Sequence, residues 1–190
     1  GLIPFVLILS IPSIILLMQP DTGTVLVLAA AGIAMYATVG GKIRDFLILL
    51  LIGIILFSIL VYKRPYIKDR LETYIRPGID LNRSGYQLNQ SLIAIGSGRI
   101  FGRGFGQSVQ KFNYLPEPIG DSIFAVAAEE FGFVGSFILI FLFLIFSFRG
   151  LKIASRAPDY FSGLLVVGIV ILIISQSFIN IGAMLGVFPL

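Results

Sequence analysis

Four carboxylates crowd one stretch of this chain. Glu117, Asp121, Glu129 and Glu130 all fall in the run Lys111 to Gly135, which reads KFNYLPEPIGDSIFAVAAEEFGFVG. The run passes from a polar loop punctuated by proline into a long apolar segment. Charged groups so close to an apolar span are costly, and each needs a task or a partner. The chain has no Cys and no His, which excludes disulfides, thiol nucleophiles, imidazole bases and zinc sites of the usual kind. Acid–base chemistry therefore falls to a carboxylate, Lys or Tyr.

Asp121 stands where the loop enters the apolar run. An Asp ahead of Ser-Ile-Phe-Ala-Val is a good helix N-cap, and a helix N-terminus also favours an ionised carboxylate. Capping and service as a general base or metal ligand are thus compatible there. Pro116 and Pro118 bracket Glu117 and hold it in an extended turn. Glu129 would lie about 12 Å further along a continuous helix, turned roughly 80° from Asp121, with Glu130 on the opposite side. That spacing argues against a joint carboxylate pair with Asp121. Buried pairing and the lining of a cavity both remain open for Glu129 and Glu130.

Upstream, Gly85 to Ser108 reads GYQLNQSLIAIGSGRIFGRGFGQS. Leu88, Leu92 and Ile95 recur at helical spacing, with Gln87, Asn89, Gln90 and Ser91 among them, as in a helix dipping against a membrane domain. Gly96, Gly98, Gly102, Gly104 and Gly106 follow. A glycine-rich turn can cradle phosphate on its N–H groups, and the forks of Arg99 and Arg103 match phosphate oxygens. The spacing fits neither a dinucleotide fingerprint nor a P-loop, so a flexible re-entrant turn stands beside the phosphate reading.

These residues have to be positioned by apolar helices. The chain is 57% hydrophobic and 13% charged, with a mean hydropathy of +0.98. A soluble domain of 190 residues cannot bury that much apolar surface, whereas a bilayer can. The expected fold is all-α, a polytopic membrane helix bundle forming a single integral membrane domain over 1–190. Its spans are expected at about 2–18, 22–39, 46–62, 122–148 and 160–186, with a long extracytoplasmic loop at 63–120. The chain opens on an apolar run without Met and stops at Pro189-Leu190, so a fragment of a larger protein is expected. Asp21 precedes the second span, where it serves as N-cap or as part of the site, and Asp159 is placed to cap the fifth. The Lys42/Arg44 turn and the Arg149/Lys152/Arg156 link are two spans apart and share one face, cytoplasmic by their positive charge. The loop 63–120 then faces outward. It is itself basic, with nine Lys/Arg against four Asp/Glu. Lys63, Arg64, Lys68, Arg70 and Arg76, interleaved with Tyr62, Tyr66 and Tyr74, suit an interfacial amphipathic helix or attraction of anionic lipid headgroups.

Taken together, PDTGT at 20–24, GYQLNQSLIAIGSG at 85–98, FGRGFGQSVQKFNYLPE at 101–117, the D-x-IFAVAAEEFGFVG run at 121–135 and NIG at 180–182 resemble the SEDS family, the FtsW, RodA and SpoVE proteins. The QSVQKFNYLPE wording is closer to FtsW than to RodA. Arg99 stands where a second Gly is common in the family. Ile119-Gly120 and Ser122 flank Asp121 where His-Thr and Phe are usual.

The resemblance implies a ten-span bundle of which this chain holds roughly spans five to nine, in the bacterial inner membrane, and which is inactive as a fragment. It implies a peptidoglycan glycosyltransferase that polymerises lipid II, a disaccharide-pentapeptide on undecaprenyl pyrophosphate, during division. Asp121 falls on the family's catalytic Asp and Glu117 on its loop Glu. Lys111, Arg99, Arg103, Gln90, Ser91 and Asp21 are the candidate substrate contacts. A divalent cation, Mg or Mn, is a possible cofactor with Asp121 as its ligand. The partners implied are a class B penicillin-binding transpeptidase and the division or elongation machinery, with no nucleic acid. Two other classes remain in view: a flippase for the same lipid, suggested by Glu129, Glu130 and Asn180 at membrane depth, and a scaffold that only recruits other division proteins.

Overall fold

The computed structural model describes residues 1–19, 21–63 and 84–188. The expected interfacial helix falls outside the described residues, except for Tyr62 and Lys63. Seven helices form among the described residues: α1 (Leu2–Met18), α2 (Thr22–Thr38), α3 (Ile43–Lys63), α4 (Ser84–Ser97), α5 (Gln110–Asn113), α6 (Ile123–Ala154) and α7 (Tyr160–Met184). Three of them, over Ile43–Tyr62, Ile123–Ala154 and Tyr160–Met184, are long and apolar enough to cross a membrane, while α1 and α2 are shorter apolar helices. Their large side chains stay exposed, including Leu47, Leu50, Leu51, Ile54 and Leu56 on α3. Such a surface suits hydrocarbon as its solvent. The protein is a polytopic membrane helix bundle.

Two compact units divide the chain. The first holds residues 1–63 and 145–177. Gly32 lets α2 approach α1 closely, since a Cβ there would come within 3.2 Å of Leu9 and 3.3 Å of Phe5. Small residues serve this purpose in membrane bundles, where packing rather than hydrophobic driving force joins helices. The Tyr36 hydroxyl donates to Asp45 Oδ2 at 2.7 Å, which gives the buried Asp45 a partner. Asp159 caps α7 as its position suggests, accepting from Ser162 N at 2.9 Å and from Ser162 Oγ at 2.7 Å. Those two bonds hold its carboxyl below the usual aspartate range.

The second unit, described over residues 84–144 and 178–188, carries the carboxylates. Its core gathers Ala94 of α4, Leu115, Phe124, Ala125 and Val126 of α6, and Ile181 and Met184 of α7. Helix α4 buries the small residues Ser91 and Ala94, with Gly98 buried just past its end, and leaves Leu92 exposed. Of the apolar residues at helical spacing, Ile95 packs against this core and Leu88 is half-buried. Close approach of backbones, rather than side-chain bulk, set this contact.

Helix α6 is broken. Gly132 has φ 67° and ψ −163°, a conformation confined almost entirely to glycine. An unbroken helix would bond Phe133 N to Glu129 O and Val134 N to Glu130 O. Instead four bonds run to the loop after α4. Arg103 N and Gly104 N each donate at 3.0 Å to the Glu129 and Glu130 carbonyls, while Phe133 N and Val134 N donate to Arg99 O at 2.9 Å and Ile100 O at 3.1 Å. The glycines make the crossing possible. A Cβ at Gly98 would overlap the Ala128 carbonyl, one at Gly102 the Glu130 carbonyl, and one at Gly132 the Gly102 amide. Beyond the break, Phe133 to Ala154 would run about 33 Å, enough to cross a bilayer core.

Candidate functional site

The site is organised by the short first half of α6, with different chemistry at its two ends. At the far end sit Glu129 and Glu130. Glu129 is 0% exposed, and a carboxylate so buried requires several donors. Ser108 Oγ donates to its Oε2 at 2.6 Å, Val109 N to Oε1 at 3.2 Å and Gln110 N to Oε2 at 3.3 Å, and Arg103 Nε lies 3.4 Å from Oε1. Glu130 Oε1 accepts from Lys111 Nζ at 2.6 Å and from Ser108 N at 3.4 Å. Lys111 Nζ also donates to Gly106 O at 3.1 Å. The two glutamates therefore clamp the loop 103–111 onto the broken helix. Of the two roles left open by the sequence, the structure gives them buried pairing. Ser108, Gly132 and the amides of Val109 and Gln110 were not singled out from the sequence. The signal for them was there, in two adjacent acids on an apolar run, each needing donors.

At the near end the chain turns into α6. Glu117 has a left-handed backbone, φ 46°, unusual for a non-glycine residue. Its carbonyl accepts from both Gly120 N and Ser122 N at 3.1 Å, which closes the turn. Ser122 is fully buried, donates from Oγ to Pro116 O at 2.9 Å and accepts from Gln87 Nε2 at 3.3 Å. The helix begins only at Ile123, so the Asp121 side chain does not cap it. Asp121 is exposed, and its carboxylate has no hydrogen bond or ion pair among the described residues. Glu117, also exposed, shares that freedom. Glu117 and Asp121 lie four residues apart on one tight turn, closed by the Glu117 carbonyl.

The expected cations stand elsewhere. Gln87 touches Ser122, and Gly98 meets Ala128 and Glu129, so α4 runs alongside the first half of α6 in the same direction. Arg99, one residue past Gly98, therefore lies beyond the Ala128 level, about 9 Å or more along α6 from Ser122, and the Glu129 level lies about 11 Å along it. Arg103 and Lys111 are pinned at that far level by their glutamates. The Arg99 guanidinium is exposed and without a partner among the described residues, on a backbone with φ 50°. Gln90 is half-buried. Ser91 is sealed at 0% exposure, with its Oγ unpartnered among the described residues. Asp21, in the other unit, accepts from Thr24 N at 3.0 Å as the cap of α2. Among the described residues no group of three or more acids is placed to hold a metal ion. Mg²⁺, however, commonly takes only one or two carboxylates and completes its shell with water and substrate phosphate, and the free Asp121 and Glu117 fit that donor set.

An apolar bundle with a broken helix, a glycine-braced loop and two acids unpartnered among the described residues is that of a polytopic membrane protein. The family model described as a cell cycle protein, covering FtsW, RodA and SpoVE, matches residues 1–190, and the chain belongs to that family. It is 42% identical over 189 residues to the stage V sporulation protein E of Bacillus subtilis (strain 168), covering 100% of this chain and 52% of that protein. It is 38% identical over 192 residues to the probable peptidoglycan glycosyltransferase FtsW of Buchnera aphidicola subsp. Baizongia pistaciae, covering 100% of this chain and 50% of that protein. For the protein of the same name from Aliivibrio salmonicida (strain LFI1238) the identity is 40% over 192 residues, covering 100% and 48%. The chain thus spans about half the length of the curated relatives it matches.

Proposed function

We propose that this chain is part of a peptidoglycan glycosyltransferase of the bacterial inner membrane, which polymerises lipid II with Asp121 as general base. Its relatives carry the name probable peptidoglycan glycosyltransferase, which supports the reaction class. The observation that carries the residue assignment is the contrast among the four acids. Glu129 and Glu130 are consumed by the loop, whereas Asp121 and Glu117 are exposed and unpartnered among the described residues. A general base must be able to accept a proton at the substrate, and only the second pair is free to do so.

In the proposed reaction an Asp121 oxygen takes the proton of the acceptor sugar hydroxyl. The acceptor oxygen bonds to the donor's anomeric carbon, and the bond from that carbon to the pyrophosphate oxygen breaks. The electron pair leaves with undecaprenyl pyrophosphate. Glu117 holds the turn that presents Asp121 and lends a second carboxylate. A divalent cation, for which Asp121 would be the protein ligand, would supply neutralising charge for the leaving group. Gln90 is kept in the proposal as a substrate contact, and the loop 63–120 as its extracytoplasmic part. Ser91, sealed as it is, supports the packing of α4. A class B transpeptidase and the division machinery are the proposed partners, with elongation the other setting.

Reconstitution tests the reading. Full-length protein in lipid II vesicles beside its transpeptidase should make glycan polymer. Translocation of lipid II without polymer would instead establish the flippase alternative.

A further inference from the structure

The cations and the proposed base occupy opposite ends of one half-helix, and this separation carries chemical content. In glycosyl transfer the leaving oxygen is bonded directly to the anomeric carbon that the acceptor attacks. The leaving pyrophosphate must therefore lie against Asp121's reaction centre. Arg103 and Lys111 are paired at the other end, where Glu129 Oε1 lies 3.4 Å from Arg103 Nε and Glu130 Oε1 2.6 Å from Lys111 Nζ. The Arg99 side chain has no partner among the described residues, but its carbonyl accepts from Phe133 N at 2.9 Å, which fixes its backbone past the Ala128 level, about 9 Å or more along α6 from Ser122.

A lipid II acceptor, however, brings a second pyrophosphate. Its reacting hydroxyl lies at one end of the disaccharide, and the pyrophosphate that it keeps is at the other. We propose that Arg99, Arg103 and Lys111 form a separate anion subsite that binds the acceptor's retained pyrophosphate, so that the disaccharide reaches back along the half-helix to Asp121. This rests on the glycosyltransferase reading and refines it from one charged site to two. The clamp explains the arrangement. Glu129 engages Arg103 through Nε and leaves that side chain 44% exposed, so its terminal nitrogens still present a fork to phosphate oxygens. Lys111 stays 25% exposed beside Glu130. The braced loop holds both cations in place before substrate arrives, which lowers the ordering cost of binding.

The test compares two acceptors in full-length protein with its transpeptidase: lipid II, and the same disaccharide-pentapeptide capped as a methyl glycoside without pyrophosphate. The readout is the ratio of their kcat/KM values. Arg99→Gln should lower that preference for lipid II about tenfold, the loss of one charge-assisted hydrogen bond, through KM rather than kcat. Arg103→Gln, checked for folding by its melting temperature, should do the same. A folded Arg99→Gln protein with the wild-type preference would overturn the subsite. A lowered preference alongside a still active Asp121→Asn enzyme would keep the subsite and remove the base. An unchanged preference with an inactive Asp121→Asn would keep the base and remove the subsite.

Discussion

Replacing Gly132 with Ala probes the brace on which the arrangement depends. The new Cβ would sit at φ 67° and ψ −163°, where non-glycine residues carry strain of about 1–3 kcal/mol. It would also overlap the Gly102 amide and come within 2.6 Å of the Ile100 carbonyl. Neither is a flexible side chain that can move aside. Relief requires opening the crossing, at the expense of some of the four bonds between Arg99, Ile100, Arg103 and Gly104 and the ends of the broken helix. Each is worth about 1 kcal/mol net, and more when a buried group is left unsatisfied. The expected loss is therefore about 3 kcal/mol or more. Gly53→Ala, with open space around its new Cβ, should stay within about 1 kcal/mol of wild type. Midpoints of unfolding in SDS titrations of the full-length protein would measure both. Equal midpoints for Gly132→Ala and Gly53→Ala would refute the brace.

Three further outcomes follow. Glu129→Gln sets an amide donor among the Ser108, Val109 and Gln110 donors and should cost about 1–3 kcal/mol; limited proteolysis within 103–111 should speed up, and an unaltered cleavage rate would contradict the clamp. Glu117→Gly removes a left-handed non-glycine backbone and should raise or preserve stability while activity falls, so a protein that loses stability would show the turn to be misread. Asp159 has its carboxyl depressed by Ser162, so the stability it adds is present above the unfolded aspartate pKa and is lost as pH falls through the lower folded value. The stability gap between wild type and Asp159→Ala should therefore close only in strong acid; a gap independent of pH would exclude the cap.

The apolar runs were long enough to announce the helices directly, because hydrocarbon as solvent leaves few other structures available. The cap residues Asp21 and Asp159 were legible for a local reason, a short side chain one step ahead of the first turn. What could not be read was any feature set by one segment meeting another. The glycines at 98, 102 and 132 look alike in sequence whether they cradle phosphate or admit a crossing backbone. The register between α4 and α6 decides that they admit a backbone. The same register sets Arg99, Arg103 and Lys111 at the Glu129 end of the half-helix, away from Asp121. Helix α6 starts at Ile123 rather than at Asp121 because Ser122 is anchored by Pro116 and Gln87, two contacts with no local signature.

The most direct measurement is the turnover of lipid II by full-length protein carrying Asp121→Asn, beside its transpeptidase. Loss of a general base should lower kcat about 10²- to 10⁴-fold, with KM and the unfolding midpoint close to wild type. Polymer formed at the wild-type rate by a folded Asp121→Asn protein would contradict the account.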